Sequence, residues 1–152
     1  MAVTSNGMLA IAGVKDYQGA SQQWVSILSD NLKEKLAEFS FSLYFRADEH
    51  NAPAILANND GSWVIARTGH NERFDGNGGR IYVSIISNEL TLSEEQELYV
   101  PNGAAYAQLV ASNGLTLLLT RDVMQGWGVI TSNDNGVSWG DWQKLSITKG
   151  LE

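Results

Sequence analysis

A short polar turn closed by glycine and followed by an apolar run recurs three times along the chain, at Ser5-Asn6-Gly7, Asn59-Asp60-Gly61 and Ser112-Asn113-Gly114. The glycines at 7, 61 and 114 set a period of about 50 residues, and self-similarity of that length marks a repeat architecture. Each glycine precedes a strand-like run, over 8–14, 62–67 and 115–120. A variable polar loop then leads to a second run, over 24–28, 81–86 and 128–131, and each of these is followed by or ends beside a serine, Ser29, Ser87 and Ser132. A closing strand follows at 39–45, 97–100 and 143–147, and an opening strand precedes each glycine turn at 2–4, 54–57 and 106–111. The pattern predicts an all-β chain of three four-stranded units, about 1–46, 47–100 and 101–150. A two-sheet sandwich also accommodates many short strands, but the fixed internal order favours the repeat. The last two residues, Leu151-Glu152, read as a tag remnant outside the fold.

The third serine opens Ser132-Asn133-Asp134-Asn135-Gly136-Val137-Ser138-Trp139. Here Asp134 is placed to accept backbone N–H groups two residues on, Gly136 to supply a positive φ, and Trp139 to pack beneath the turn. The spacing Ser-x-Asp-x-Gly-x-Ser-Trp resembles the Asp-box of the sialidase (neuraminidase) superfamily of BNR-repeat β-propellers. That resemblance implies propeller blades, with Ser132, Asp134, Gly136, Ser138 and Trp139 as a structural fastener. The superfamily typically closes with six blades, so three per chain lead to the expectation of a homodimer. The first two units keep the serine and lose Gly and Trp, continuing as Ser29-Asp30-Asn31-Leu32 and Ser87-Asn88-Glu89-Leu90. Over 31–38, Leu32 and Leu36 offer a helical turn as an alternative.

Composition narrows the function. The 152 residues are 43% hydrophobic and 18% charged, with a net charge of −7 and no cysteine. Such an acidic chain with scattered Lys and Arg argues against a nucleic-acid partner. No apolar run approaches the roughly 20 residues of a membrane-spanning helix, so membrane insertion is not expected. Disulfides and thiolate metal sites are ruled out, and His50 and His70 are not spaced as a ligand pair. Neither a cofactor nor a metal is expected. The N-terminal residues lack a signal peptide's basic and apolar regions. Resemblance alone favours an extracellular or cell-surface location.

In a four-stranded meander, the turns after the first and third strands lie at one end and the other connections at the opposite end. The glycine turns and the 132–139 stretch therefore share an end, and both read as structural. Function is expected across the molecule, where Tyr17, Arg46, Asp48, Arg67, His70, Arg73, Phe74, Arg121, Asp122 and Trp127 fall. Arginine forks bind carboxylates and aromatic faces pack on sugar rings, which suits a glycan, with a protein surface as the other partner class. The blander expectation makes Arg46 with Asp48 and Arg121 with Asp122 ordinary surface ion pairs.

Catalytic sialidases, as the resemblance implies, use an arginine triad, a tyrosine nucleophile paired with a glutamate, and an acid/base aspartate. The nearest equivalent of the family's Arg-Ile-Pro motif is Arg46-Ala47-Asp48, without its proline. A triad of Arg46, Arg67 and Arg121 requires the three side chains to meet at one depression. Asp48 with Glu72 or Asp122 forms an acid/base set only if the loops converge. A non-catalytic recognition module is the favoured expectation, and a sialidase-type glycosidase the alternative.

Overall fold

A computed structural model describes residues 1–4, 6–17, 20–44, 52–68 and 80–146. Among the described residues twelve strands form three four-stranded antiparallel sheets, each a meander in chain order. The first contains β1 (Ala2–Val3), β2 (Leu9–Tyr17), β3 (Ala20–Leu28) and β4 (Lys35–Tyr44). The second contains β5 (Ala54–Ala57), β6 (Trp63–Thr68), β7 (Ile81–Ile86) and β8 (Gln96–Leu98). The third contains β9 (Ala104–Ser112), β10 (Leu115–Asp122), β11 (Gly126–Ser132) and β12 (Gln143–Lys144). No described residue is helical. Three separate sheets replace the sandwich alternative, and the helical-turn alternative over 31–38 also fails. There the chain makes a turn in which Ser29 N–H donates to the Glu34 carbonyl, and from Lys35 onward it pairs with β3.

Alternation along the strands decides where the core lies. In the middle sheet β6 is buried along its whole length, with two faces serving two cores. Trp63 and Ile65 pack with Ala10, Val25, Ile27 and Phe41 of the first sheet. Val64 and Ala66 pack with Leu109, Leu118 and Ile130 of the third. The second sheet is thus sandwiched, which accounts for its near-continuous apolar runs. The outer face of the third sheet, with Leu117, Leu119 and Val129, is half-exposed.

The repeat is visible in the backbone. Gly7, Gly61 and Gly114 all adopt φ near +80°, at +85°, +86° and +78°. After each serine, the residue three positions on is left-handed with the same φ of 61°: Leu32, Leu90 and Asn135. Leucine gains no local hydrogen bond from that conformation as asparagine does, so the first two turns hold it by their serines. Glu34 N–H donates to Ser29 Oγ at 3.2 Å, and Thr91 N–H to Ser87 Oγ at 3.2 Å.

Candidate functional site

The 132–139 turn is a closed hydrogen-bond network. Ser132 Oγ donates to Asp134 Oδ1 at 2.8 Å and accepts the Gly136 N–H at 2.9 Å. The other bonds to Asp134 come from Ser138, through its N–H at 2.9 Å and its hydroxyl at 2.5 Å. The N–H accepted by Asp134 thus lies four residues on, where the Asx reading placed it two on. Trp139 folds back and donates its indole N–H to the Gly136 carbonyl at 2.9 Å. Ser138 and then Ser132 hold the Asp134 carboxyl down at about 2. A depressed carboxyl contributes stability that is present above its ordinary value near 3.8 and lost as pH falls through about 2. Ser132, Asp134, Ser138 and Trp139 thus bond within the turn, while the Asn135 amide reaches Asp60 outside it.

At the opposite end, the expected site residues separate. Arg46, Asp48, His70, Arg73 and Phe74, together with Glu72, lie outside the described residues, as does the side chain of Tyr17 at the end of β2. Arg67 is 3% exposed and turns into the seam between the first and second sheets. Its guanidinium pairs with Glu95, Nη2 donating to Oε2 at 2.6 Å, and reaches Gln23 Oε1 at 3.4 Å. It also lies 4.5 Å from the Tyr82 ring centroid and 5.5 Å from that of Phe41. This corrects the expectation of a ligand-binding arginine, because the fork is already filled.

Asp122 is likewise corrected, being fully buried beneath the turn that joins β10 to β11. Burial pushes its carboxyl upward, but N–H groups of Gln125, Asn102 and Met124 outweigh this and hold it below the usual carboxylate range. The Gln125 and Met124 bonds measure 2.7 and 2.8 Å, and Asn102 adds its own N–H at 2.9 Å. Asp122 therefore ties the connection at Asn102 to the turn after β10. Arg121, its neighbour on the strand, points to the other face of the sheet and is exposed, so the two do not form the expected surface pair. Arg67 in an inner seam and Arg121 on an outer face share no depression, and Arg46, the third member of the expected triad, lies outside the described residues.

Arg121 has different company. It is the cross-strand partner of Trp127 and so shares a face with it. Trp127 is 45% exposed and stacks with Tyr106, ring centroids 6.1 Å apart and planes 29° apart. Tyr106 is 37% exposed and sits in a β-bulge, where β9 slips by one residue against Thr120 and Arg121. Its φ of 64° is uncommon for a bulky residue, and Thr120 Oγ1 clamps its carbonyl at 2.9 Å. The exposed Tyr106–Trp127 pair and Arg121 are thus brought together by a bulge with one left-handed residue. Trp127 and Arg121 were among the expected ligand-binding residues, and Tyr106, which the structure brings beside Trp127, was not. Its one visible signal was a lone aromatic in Ala104-Ala105-Tyr106-Ala107. Among the described residues, no three His, Asp or Glu side chains gather as a metal site would.

No family model and no curated protein matches the chain. Among solved structures it is similar to a polysaccharide lyase of family PL25, an ulvan lyase, bound to -[GlcA(1-4)Rha3S]-. Identity is 15% and the TM-score 0.61, over 91% of this chain and 41% of that one. The chain therefore spans about two fifths of the neighbour's length. At this identity the likeness is one of all-β fold.

Proposed function

We propose that this chain is a non-catalytic carbohydrate-recognition module of β-propeller type, binding glycan on the ledge formed by Tyr106 and Trp127 with Arg121 beside it. The exposed aromatic pair, held in place by the bulge, carries the reading. Aromatic faces pack against the C–H faces of sugar rings, and a neighbouring arginine fork suits a uronate or sulfate group. The ulvan lyase bound to its polysaccharide lends the reading support at the level of fold. Trp127→Ala is expected to weaken binding to an ulvan-type uronate polysaccharide tenfold or more in calorimetry, with the unfolding midpoint unchanged. Arg121→Ala should weaken that binding while leaving any neutral glucan signal as it was. Equal affinity of Trp127→Ala and wild type would remove the ledge from the proposal.

The finer form of the proposal is a homodimer. The neighbour's chain is more than twice as long as this one, and among the described residues the outer face of the third sheet, with Leu117, Leu119 and Val129, is half-exposed. A two-fold pairing would set the third sheet of one protomer on the first sheet of its partner and close six sheets around one axis, with the ledge at the loop end of the paired face. Leu117→Glu, in the middle of that face, is expected to shift a sedimenting dimer to monomer. Wild-type protein sedimenting as a monomer would end the dimer form and leave the recognition proposal standing.

A further inference from the structure

The turn end of the molecule also carries a concavity, and no turn network fills it. It lies between the second and third sheets, has a volume of about 260 Å³, and is lined by the β5–β6 turn, the β9–β10 turn and Asn135. Ala57, Ala111 and Leu115 supply apolar surface, and Asn59, Asn113 and Asn135 supply side-chain amides. Among the described residues none of those lining it is ionisable, while the Asp60 carboxylate stands beside it through its bond to the Asn135 amide. The lining offers no arginine fork to an anion, which sets it apart from a site for a uronate or sulfate group.

The amides are held by the backbone that carries them. Asn113 and Asn135 are both left-handed, with φ of 51° and 61°, so the turns themselves aim their side chains. Asn135 is fixed further, its amide donating to Asp60 Oδ2 at 3.3 Å and its carbonyl accepting from Asn58 Nδ2 at 3.0 Å. Each amide carries donors and an acceptor together, as a hydroxyl does. A volume just below that of drug-sized pockets suits a single small ring. Apolar surface with amides and no lining cation matches a ring that has C–H faces and an equatorial belt of hydroxyls.

We infer that this concavity is a binding site for a neutral monosaccharide unit, separate from the aromatic ledge at the other end of the third sheet. It adds a second sugar-binding site to the carbohydrate reading and uses none of the ledge residues. The probes are methyl glycosides of glucose, galactose, mannose and N-acetylglucosamine, added at millimolar concentration to the ¹⁵N-labelled chain. At least one is expected to shift the side-chain amide resonances of Asn113 and Asn135. Asn113→Gly with Asn135→Gly keeps both positive φ values and removes both amides, and is expected to raise Kd at least tenfold. Leu115→Trp fills the concavity without altering the asparagines and is expected to abolish the shifts. Trp127→Ala should leave them intact, so failure of the ledge and failure of this site read out separately. If no glycoside moves these resonances, or if the double variant binds as wild type does, the inference is overturned.

Discussion

Replacing Gly136 by alanine is expected to destabilise the chain by about 3 kcal/mol, combining backbone strain with overpacking. Gly136 has a φ of +88°, and a Cβ placed there would come within 2.6 Å of Val64 Cγ2. Val64 is fully buried in the seam between the second and third sheets and has nowhere to retreat. Gly114 makes the comparison clean. Its φ is +78°, yet a Cβ there meets nothing within 4 Å, so Gly114→Ala carries the backbone term alone, about 1 kcal/mol. Urea unfolding of both variants separates the two terms. Equal losses would show that the 132–139 turn does not press on the neighbouring sheet.

The second large effect belongs to Arg67. Arg67→Ala is expected to cost about 3 kcal/mol, the lower part of the range for breaking a buried pair, because the Glu95 side chain keeps 31% exposure. The alanine also gives up the stacking over Tyr82 and Phe41 and leaves buried Gln23 with one partner fewer. Joint replacement, Arg67→Met with Glu95→Leu, is expected to recover most of the loss, since a packed apolar pair can stand in for a buried ionic one. A loss below about 1 kcal/mol in the single variant would place the pair among screened surface contacts.

How much of this was legible beforehand differs by element. The strands of the second sheet were readable because β6 and β7 are buried and strongly apolar, and 81–86 coincides with β7 end to end. The serine turns were readable as a repeat. Their common left-handed third position was not, because leucine at 32 and 90 carries none of the asparagine or glycine signal for that conformation. The strand β4 was read as starting at 39, since Lys35 and Glu38 with Leu36 between them suit a helical turn as well as an exposed strand edge.

The site residues divide for a related reason. Arg67 follows Trp63 and Ile65 at two-residue spacing, and parity alone sets it on the buried face they share. Reading it as the last residue before a loop concealed that. Asp122 accepts locally from Met124 and Gln125, but its tie to Asn102 is a tertiary contact across 20 residues. The Tyr106 bulge depends on the pairing register of two strands, which no single run of residues specifies.

Asn58 donates to the carbonyl of Asn135 across 77 residues of sequence. Pairing within each sheet joins near neighbours along the chain, whereas each seam joins distant ones. Hairpins of the second sheet therefore have short loops to close, but the faces that make them worth closing arrive from both directions along the chain. Such an arrangement has high contact order at the level that stabilises it and low contact order at the level that starts it. Assembly is then expected to be limited by docking of sheets more than by making them.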